Sequence, residues 1–324
     1  MRTHPAKLPL PLTPCPGAGS YLPLRMALWL GALTQGLALI FLGWGIYLSF
    51  RVLSFADITV DGSFTLGAVL SAVLVAAGVH PALAVGAGLL GGAAAGAVTG
   101  LIHTWLRVSD LLAGILTLTA LYSITLRVMG RPNVSLLGKL TLPGWLQKLG
   151  IAPSDDVAAL GLYLGLAVAG AILLSAFLKT DVGLALRATG DNPEMITAQG
   201  VDISRTRLAG LALANALVGF SGALIAQYQG FADIQMGIGS LVAGIAAVMI
   251  GESFVGRRSP AVVIAAVAGG SILFRLLIAL ALRLGLNPVD LKLVTAVFVL
   301  AILAAGRLRL RKGWKLAPRT GGGA

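Results

Sequence analysis

Long uninterrupted apolar stretches are the feature that most restricts what this chain can fold into. Such runs recur from residue 30 to residue 306, and each has the length of about 20 residues at which an α-helix crosses roughly 30 Å of hydrocarbon. Of the 324 residues, 57% are hydrophobic and only 11% are charged, which excludes an ordinary soluble domain. Strands of a membrane β-barrel alternate in character, whereas these runs do not. The sequence therefore predicts an all-α, polytopic transmembrane helical bundle.

Breaks at proline, glycine and charged residues divide the bundle into about nine spans. The predicted spans are 30–50, 60–79, 82–104, 109–128, 157–178, 207–227, 239–252, 260–282 and 288–306. Two connections, 129–156 and 179–206, are long and hydrophilic. We therefore expect an N-terminal extension over 1–25, a transmembrane domain over 26–308 that contains the loop 179–206, and a basic cytoplasmic tail over 309–324.

The placement of Lys and Arg beside the spans predicts the orientation, because positively charged loops remain in the cytoplasm. With a cytoplasmic C-terminus, the inner set includes the 179–207 loop, the Arg257–Arg258 pair and the basic tail. The opposite loops hold only a few basic residues: Arg127, Arg131, Lys139, Lys148 and Arg283. This pattern predicts a multi-pass protein of a bacterial-type plasma (inner) membrane. It also explains the net charge of +12 without nucleic acid as a partner.

The N-terminal segment does not fit this orientation, since nine spans leave Arg2, Lys7 and Arg25 on the outer side. Residues 1–25 are rich in proline and lack the continuous apolar core of a signal peptide. One interpretation is an extension that precedes a true start at Met26. The other is a tenth, partial span or a cytoplasmic tail with a different first crossing.

A self-match within the chain indicates an internal repeat. The sequence Phe-Ala-Asp-Ile occurs at residues 55–58 and again at 231–234, and Gly62-Ser63 is matched by Gly239-Ser240. Residues 55–61 are expected at the inner side of an outward-going span, and 231–238 at the outer side of an inward-going span. The repeats are therefore predicted to be inverted, which is a transporter architecture with the pathway at the repeat interface. The alternative is that both are merely short loops between helices.

Polar residues and glycines concentrate at these two segments, and we take them as candidates for the translocation pathway. They are Asp57, Thr59, Asp61, Gly62, Ser63, Gly237 and Gly239. A carboxylate near lipid is costly and is retained only with a partner, water or a function. The alternative is an aqueous inner loop in which Asp61 or Ser63 caps the next helix. Arg275 and the Asp290/Lys292 pair are weaker candidates, because they can pair within the bundle or extend to its edge.

The loop 179–206 is predicted to form two short helices on the cytoplasmic side. Asp191 or Asn192 can cap a helix that has Pro193 at its first position. Gly200 can then end it in the left-handed conformation that glycine adopts most easily. A short capped helix between two spans has the shape of a docking element, a cytoplasmic coupling helix. A solvated connector would explain the charges of this loop but not the capping.

The segment 186–203, with Arg187-Ala188-Thr189-Gly190-Asp191-Asn192-Pro193 and Ala198-Gln199-Gly200-Val201, resembles the coupling segment of permease subunits of ABC importers in the branched-chain amino-acid/ribose permease class. Residues 55–68 resemble most a poorly characterised subgroup labelled as tryptophan/tyrosine-type ABC permeases. The resemblance covers residues 26–308, and the stretch 246–251 also agrees with it. The chain departs from the family in two ways. The extension before Met26 has no counterpart in the family, and the helix that precedes this region in ribose permeases is absent here.

The resemblance implies a conduit between two permease copies, a homodimer or pseudo-dimer in membrane lipid. It further implies two cytoplasmic ABC ATPase subunits bound at the coupling helices and an extracytoplasmic substrate-binding protein. The residues expected to contact the ATPase are Arg187, Gly190, Asp191, Asn192, Glu194 and Gly200. The segment 57–63 would lie near the conduit.

The chain itself is not expected to be an enzyme. It contains no Gly-x-x-x-x-Gly-Lys-Ser/Thr phosphate loop, so ATP hydrolysis must come from a partner. No cofactor and no metal site are predicted, because the single cysteine, Cys15, and the scattered His4, His80 and His103 form no ligand cluster. The main alternative function is an ion-coupled secondary transporter, which would need a carboxylate at mid-span. The sequence does not identify the substrate.

Overall fold

A computed structural model describes residues 24–150, 154–255, 259–285, 290, 293–297 and 299–301. Eleven helices and two short strands have defined bounds in these ranges: α1 Leu24–Ile46, α2 Thr59–Ala76, α3 Pro81–Leu106, α4 Asp110–Met129, β1 Asn133–Ser135, α5 Leu142–Lys148, α6 Asp155–Phe177, α7 Asp181–Asp191, α8 Pro193–Ala198, α9 Ile203–Gln229, β2 Phe231–Asp233, α10 Ser240–Val255 and α11 Pro260–Arg283. A π-helical segment, Tyr47–Val52, continues α1. The prediction of an all-α membrane bundle is confirmed.

Seven described helices are long and apolar enough to cross a membrane. They are α1 with its π-helical continuation, α2, α3, α4, α6, α9 and α11, and each overlaps a predicted span. The predicted span 239–252 corresponds to α10, which is apolar but has only 16 residues. The predicted span 288–306 lies partly outside the described residues, of which 293–297 and 299–301 are helical. The tail 309–324 and residues 1–23 lie outside them altogether.

Three helices form the centre of the bundle. In the most apolar 18-residue segment of each helix, the buried share is 67–72% for α1, α2 and α9. It is only 28–39% for α3, α4, α6 and α11. The exposed apolar side chains of the outer helices suit contact with lipid hydrocarbon rather than with water. The arrangement is therefore a central layer surrounded by helices that are apolar on almost every side.

Glycines bring α2, α3 and α9 into backbone contact. A Cβ atom added to Gly92 of α3 would lie 2.2 Å from the Asn215 carbonyl oxygen of α9, and one added to Gly67 of α2 would lie 2.1 Å from that of Gly219. Such separations leave no room for a side chain. Small residues at helix interfaces are the usual means by which membrane helices approach closely, since no hydrophobic effect drives association within lipid.

The contacts also give the direction of each helix. Ser63 and Ser71 of α2 contact Asn215 and Gln227 of α9 in the same order, so these two helices run parallel. The helix α10 runs parallel to α1, since Gly244 packs on Ile46 and Glu252 contacts Arg51. Because α1 runs antiparallel to α9, α2 and α10 point in opposite directions. The strands β1 and β2 pair antiparallel at the end of the bundle where α9 finishes.

Candidate functional site

The helical structure is interrupted between the π-helical segment and α2. Ser54 has a φ of 54°, in the left-handed region that costs energy for a residue with a Cβ. The residues that follow lie outside any helix or strand, with Phe55 and Asp57 buried and Ala56 exposed. The helix α2 begins at Thr59, so only residues 57 and 58 of the predicted pathway segment 57–63 precede the helix, and Gly62 lies within it. A Cβ atom on Gly62 would lie 2.9 Å from the Leu121 side chain of α4, which makes close packing its local role.

Asp57 is the centre of a buried hydrogen-bond network. The side chain is fully buried, and its two oxygens accept from the Thr59 backbone N–H at 2.9 Å and from Asn215 Nδ2 at 2.6 Å. Ser63 Oγ donates to Asn215 Oδ1 at 2.7 Å. The network joins the start of α2 to the middle of α9.

The depth of this network differs from the sequence-based expectation. Asn215 follows the first residue of α9 by twelve positions, about 18 Å along a helix axis. Asp57 therefore lies about halfway along α9 rather than at its inner end. Thr59 Oγ1 also lies 2.8 Å from Thr99 Oγ1 of α3, so the network extends to a third helix.

Asp61 connects α2 to the start of α10. Its carboxylate accepts from the backbone N–H groups of Gly239 and Leu241, at 3.2 and 2.7 Å, and from Ser240 Oγ at 2.9 Å. A carboxylate at this position stabilises the first turn, whose N–H groups have no partner within the helix. The suggestion that Asp61 or Ser63 caps its own helix is wrong, because Asp61 caps α10 and Ser63 contacts α9.

The predicted pathway residues therefore form two linked clusters. Asp57, Thr59 and Ser63 lie in the buried network, and Gly237 and Gly239 meet Asp61. A Cβ atom on Gly237 would lie 2.0 Å from the Asp61 carbonyl oxygen, so only glycine fits between the segment before α10 and the first turn of α2. The two segments that the self-match singled out are thus in direct contact, and their role in translocation stays a prediction.

Asn215 and Thr99 belong to this cluster but were missed from the sequence. A single amide in the stretch 208–226, whose only other polar side chain is that of Ser221, was the available indication for Asn215. Thr99 offered none, because its hydroxyl also bonds the Ala95 carbonyl of its own helix, as threonines commonly do in apolar helices. Arg275, a weaker candidate, donates to Gln35 Oε1 within the bundle. Asp290 is exposed, and the side chain of Lys292 lies outside the described residues.

The second candidate site is the pair of short helices α7 and α8. The two predicted helices are confirmed, as are their caps: Asn192 Oδ1 accepts from the Met195 N–H at 3.1 Å, Pro193 begins α8, and Gly200 has a φ of 86°. Leu186 is buried and packs against Gly210 of α9. The element is therefore fixed to the bundle along one side.

The opposite side of α7 and α8 is exposed. Asp191, Asn192, Glu194 and Gly200 are all accessible, and Arg187 is partly so. Gly190 differs, since a Cβ atom there would lie 1.9 Å from the Val52 carbonyl oxygen at the end of the π-helical segment. Three apolar side chains are about half exposed on these helices: Val182, Leu184 and Met195. An exposed surface that mixes apolar side chains with charges is typical of a protein-binding site.

An ion pair lies beside this element. Arg51 at the end of α1 contacts both carboxylate oxygens of Glu252 near the end of α10, with Nε at 2.7 and 2.9 Å. Bidentate arginine–carboxylate pairs fix geometry as well as charge. The pair therefore holds α10 against α1 at the same end of the bundle as α7 and α8.

Comparison with known proteins agrees with these features. Residues 28–306 match the family described as the permease component of the branched-chain amino acid transport system. A tyrosine transport system permease protein of Clostridioides difficile is 36% identical over 90% of this chain and 96% of its own. An uncharacterized protein of Rickettsia prowazekii is 32% identical over 86% of this chain and 98% of its own.

More distant relatives extend the comparison. The autoinducer 2 import system permease protein of Salmonella typhimurium is 30% identical over 60% of this chain and 54% of its own. Among solved structures, one described as a metal-chelate type ABC transporter in an inward-facing conformation superposes with a TM-score of 0.50 at 15% identity, covering 87% of this chain and 85% of that one. The structural similarity supports the fold, and the family match covers most of the chain. The protein is therefore a member of the branched-chain amino acid transport system permease family, the membrane-spanning component of ABC transporters.

Proposed function

We propose that this chain is the transmembrane subunit of an ATP-binding-cassette importer and forms the conduit for a small solute of the amino-acid class. The observation that carries the proposal is the capped pair α7–α8, fixed to the bundle by Leu186 and Gly190 and exposed on its other side. A rigid element with a free outer surface can transmit force from a cytoplasmic partner. The tyrosine-transport relative supports the amino-acid class.

The ATP-hydrolysing component is a partner subunit, and the chain itself is non-catalytic. The sequence contains no phosphate loop of its own. Two ATPase subunits would bind at the exposed surface of α7 and α8, through Arg187, Asp191, Asn192 and Glu194 together with the apolar side chains nearby. An external binding protein would deliver the solute on the opposite side. The chain crosses a bacterial-type inner membrane nine times and has a cytoplasmic C-terminus.

The conduit lies between two copies of the chain, in a homodimer. The junction of α2 and α10 supports an inverted repeat: both helices follow a Phe-Ala-Asp-Ile segment, and they point in opposite directions. The first aspartate of each repeat also accepts from the backbone N–H two residues later, Asp57 from Thr59 and Asp233 from Gln235. Discontinuous helices that meet inside the bundle are typical of transporter pathways.

The ion-coupled alternative gains one supporting observation. Secondary transport needs a carboxylate deep within the bundle, and Asp57 lies about halfway along α9. Its oxygens, however, are already bonded to Asn215 and Thr59, which is the arrangement of a structural carboxylate. The energy source of uptake separates the two functions.

The test is uptake of a labelled amino acid into proteoliposomes that contain the permease, its cognate ATPase and its binding protein. We expect uptake that requires ATP inside the vesicle and persists when ion gradients are dissipated. Uptake driven by an ion gradient without ATP would refute the importer.

The variant Glu194→Arg tests the docking surface in the same assay. We expect uptake to fall about tenfold or more, equivalent to roughly 1.4 kcal/mol lost at the ATPase interface, while the amount of inserted protein stays constant. Asp155→Arg is the matched control, because it reverses the same charge at an exposed first turn of another helix, α6. If Glu194→Arg supports as much uptake as the control Asp155→Arg, α8 is not part of the docking surface.

A further inference from the structure

A cavity of about 280 Å³ lies between α3 and α9, where α3 ends and α9 begins. Its polar lining consists of Arg107, Arg207, His103, Thr104 and Ser204. It is separate from the Asp57 network, and the family match assigns nothing to it. The lining includes two arginines and two hydroxyl groups and no carboxylate.

The charge of Arg207 is not neutralised by a carboxylate in the described part of the chain. The contacts there between basic side chains and carboxylates are Arg51–Glu252, His103–Asp110 and Arg205–Asp202. Arg207 instead donates one N–H to His103 Nε2 at 2.9 Å. A guanidinium has five N–H donors and no acceptor, so this contact holds Arg207 in place and leaves several donors for a ligand.

The contacts of His103 show which ring nitrogen faces Arg207. Because arginine can only donate, Nε2 must accept, and the proton lies on Nδ1, which is 2.9 Å from the Val108 carbonyl oxygen and 3.2 Å from Asp110 Oδ1. The Asp110 carboxylate lies on the Nδ1 side of the ring, opposite to Arg207. The positive charge at the cavity comes from Arg207 and Arg107.

We propose that this cavity binds a phosphate group, with the two guanidinium groups as its main ligands and the Ser204 hydroxyl as an additional donor. Guanidinium groups match phosphate geometry and bond it more strongly than neutral donors do. Two sources carry this chemistry: the headgroup of an anionic phospholipid and free inorganic phosphate.

The surroundings favour the lipid headgroup. Trp105 and Leu106, next to the cavity, are 82% and 66% exposed, and a tryptophan at the end of a span is typical of the membrane–water interface. In the proposed orientation this end is cytoplasmic, where basic pockets between helices bind anionic headgroups. Phosphate binding itself rests on the cavity and not on the transport function.

The test compares the full-length protein with three variants: Arg107→Gln, Arg207→Gln and the control Arg205→Gln. The Arg205→Gln variant loses the same charge two positions before Arg207. Arg205 is highly exposed and pairs with Asp202. Melting temperature is measured in neutral detergent during titration with phosphatidylglycerol, with diacylglycerol, which lacks the phosphate group, and with sodium phosphate. Arg107 is exposed, so its variant remains informative if Arg207→Gln fails to fold.

We expect phosphatidylglycerol to raise the melting temperature of the wild type and of Arg205→Gln at the same concentrations. Arg107→Gln and Arg207→Gln should each need about fivefold more lipid, the effect of one arginine near a membrane surface. The same pattern with sodium phosphate alone would support the site with free phosphate as its ligand. Equal titrations in all variants, a response to diacylglycerol of the same size, or no response to either phosphate source would overturn the proposal.

Discussion

At the scale of single residues, Asn215 connects more of the molecule than any candidate found in the sequence. It bonds Asp57 before α2, Ser63 within α2 and the Leu211 carbonyl of α9. The sequence identified Asp57 and Ser63 as unusual oxygens in an apolar chain. It could not supply their partner, because Asp57 and Asn215 are 158 positions apart and no local pattern encodes such a contact.

A double-mutant cycle tests this network. We expect Asn215→Leu to lower the free energy of unfolding by about 1.5–3 kcal/mol, because the fully buried Asp57 carboxylate loses a donor. Replacing both partners removes the unpaired charge, so Asp57→Leu/Asn215→Leu should be destabilised by clearly less than the sum of the two single variants. Denaturant titration in detergent measures all four proteins. Additive effects would mean that the two side chains are not coupled.

At the scale of elements, local and tertiary features differ in how far sequence could predict them. The caps of α7 and α8 were predictable, because Asn192, Pro193 and Gly200 act on their own neighbours in the chain. For the junction of α2 and α10, the sequence identified the two repeated segments but not the contact between them. Its chemistry, in which Asp61 caps a helix 178 positions away, depends on how the helices pack.

Removal of the cap tests the α2–α10 junction. In Asp61→Ala the first turn of α10 loses three hydrogen-bond contacts, and we expect a loss of about 1–2 kcal/mol of unfolding free energy, the range measured for helix caps. Asp233→Ala is the control, because among the described residues the Asp233 carboxylate accepts only from the Gln235 N–H. Its effect should stay below about 1 kcal/mol. Thermal melting compares them, and equal shifts would show that Asp61 is not a special cap.

Gly190→Ala tests how closely α7 packs against the π-helical segment that continues α1. The new methyl group would overlap the Val52 carbonyl oxygen, so α7 must move outward. We expect lower yield of folded protein and a loss of about 1–3 kcal/mol, the usual cost of overpacking. Gly161→Ala in α6, where a Cβ meets nothing within 4 Å, should be neutral or stabilise by up to about 1 kcal/mol. If both variants melt alike, Gly190 is not a packing site.

At the scale of the whole molecule, hydropathy was sufficient for the spans but not for their arrangement. The described spans fall where apolar length placed them, because the bilayer thickness fixes helix length. The central position of α1, α2 and α9 did not follow from hydropathy, since all spans are similarly apolar. Glycines such as Gly92 and Gly67 determine which helices approach most closely, and an interface glycine is indistinguishable in sequence from one that faces lipid.

The orientation of the bundle can be tested with single cysteines after Cys15→Ser removes the only native thiol. Leu137→Cys, at a position 91% exposed in the connection between β1 and α5, should react with an impermeant maleimide added outside intact cells. Glu194→Cys, exposed in α8, should react only after the membrane is opened, because the excess of Lys and Arg in its loop predicts a cytoplasmic location. Both sites are exposed in the permease by itself, so in cells that lack the partner ATPase any difference in labelling reports the membrane barrier rather than burial. Labelling of both from the same side would contradict the proposed topology, and with it the assignment of α7 and α8 to an ATPase.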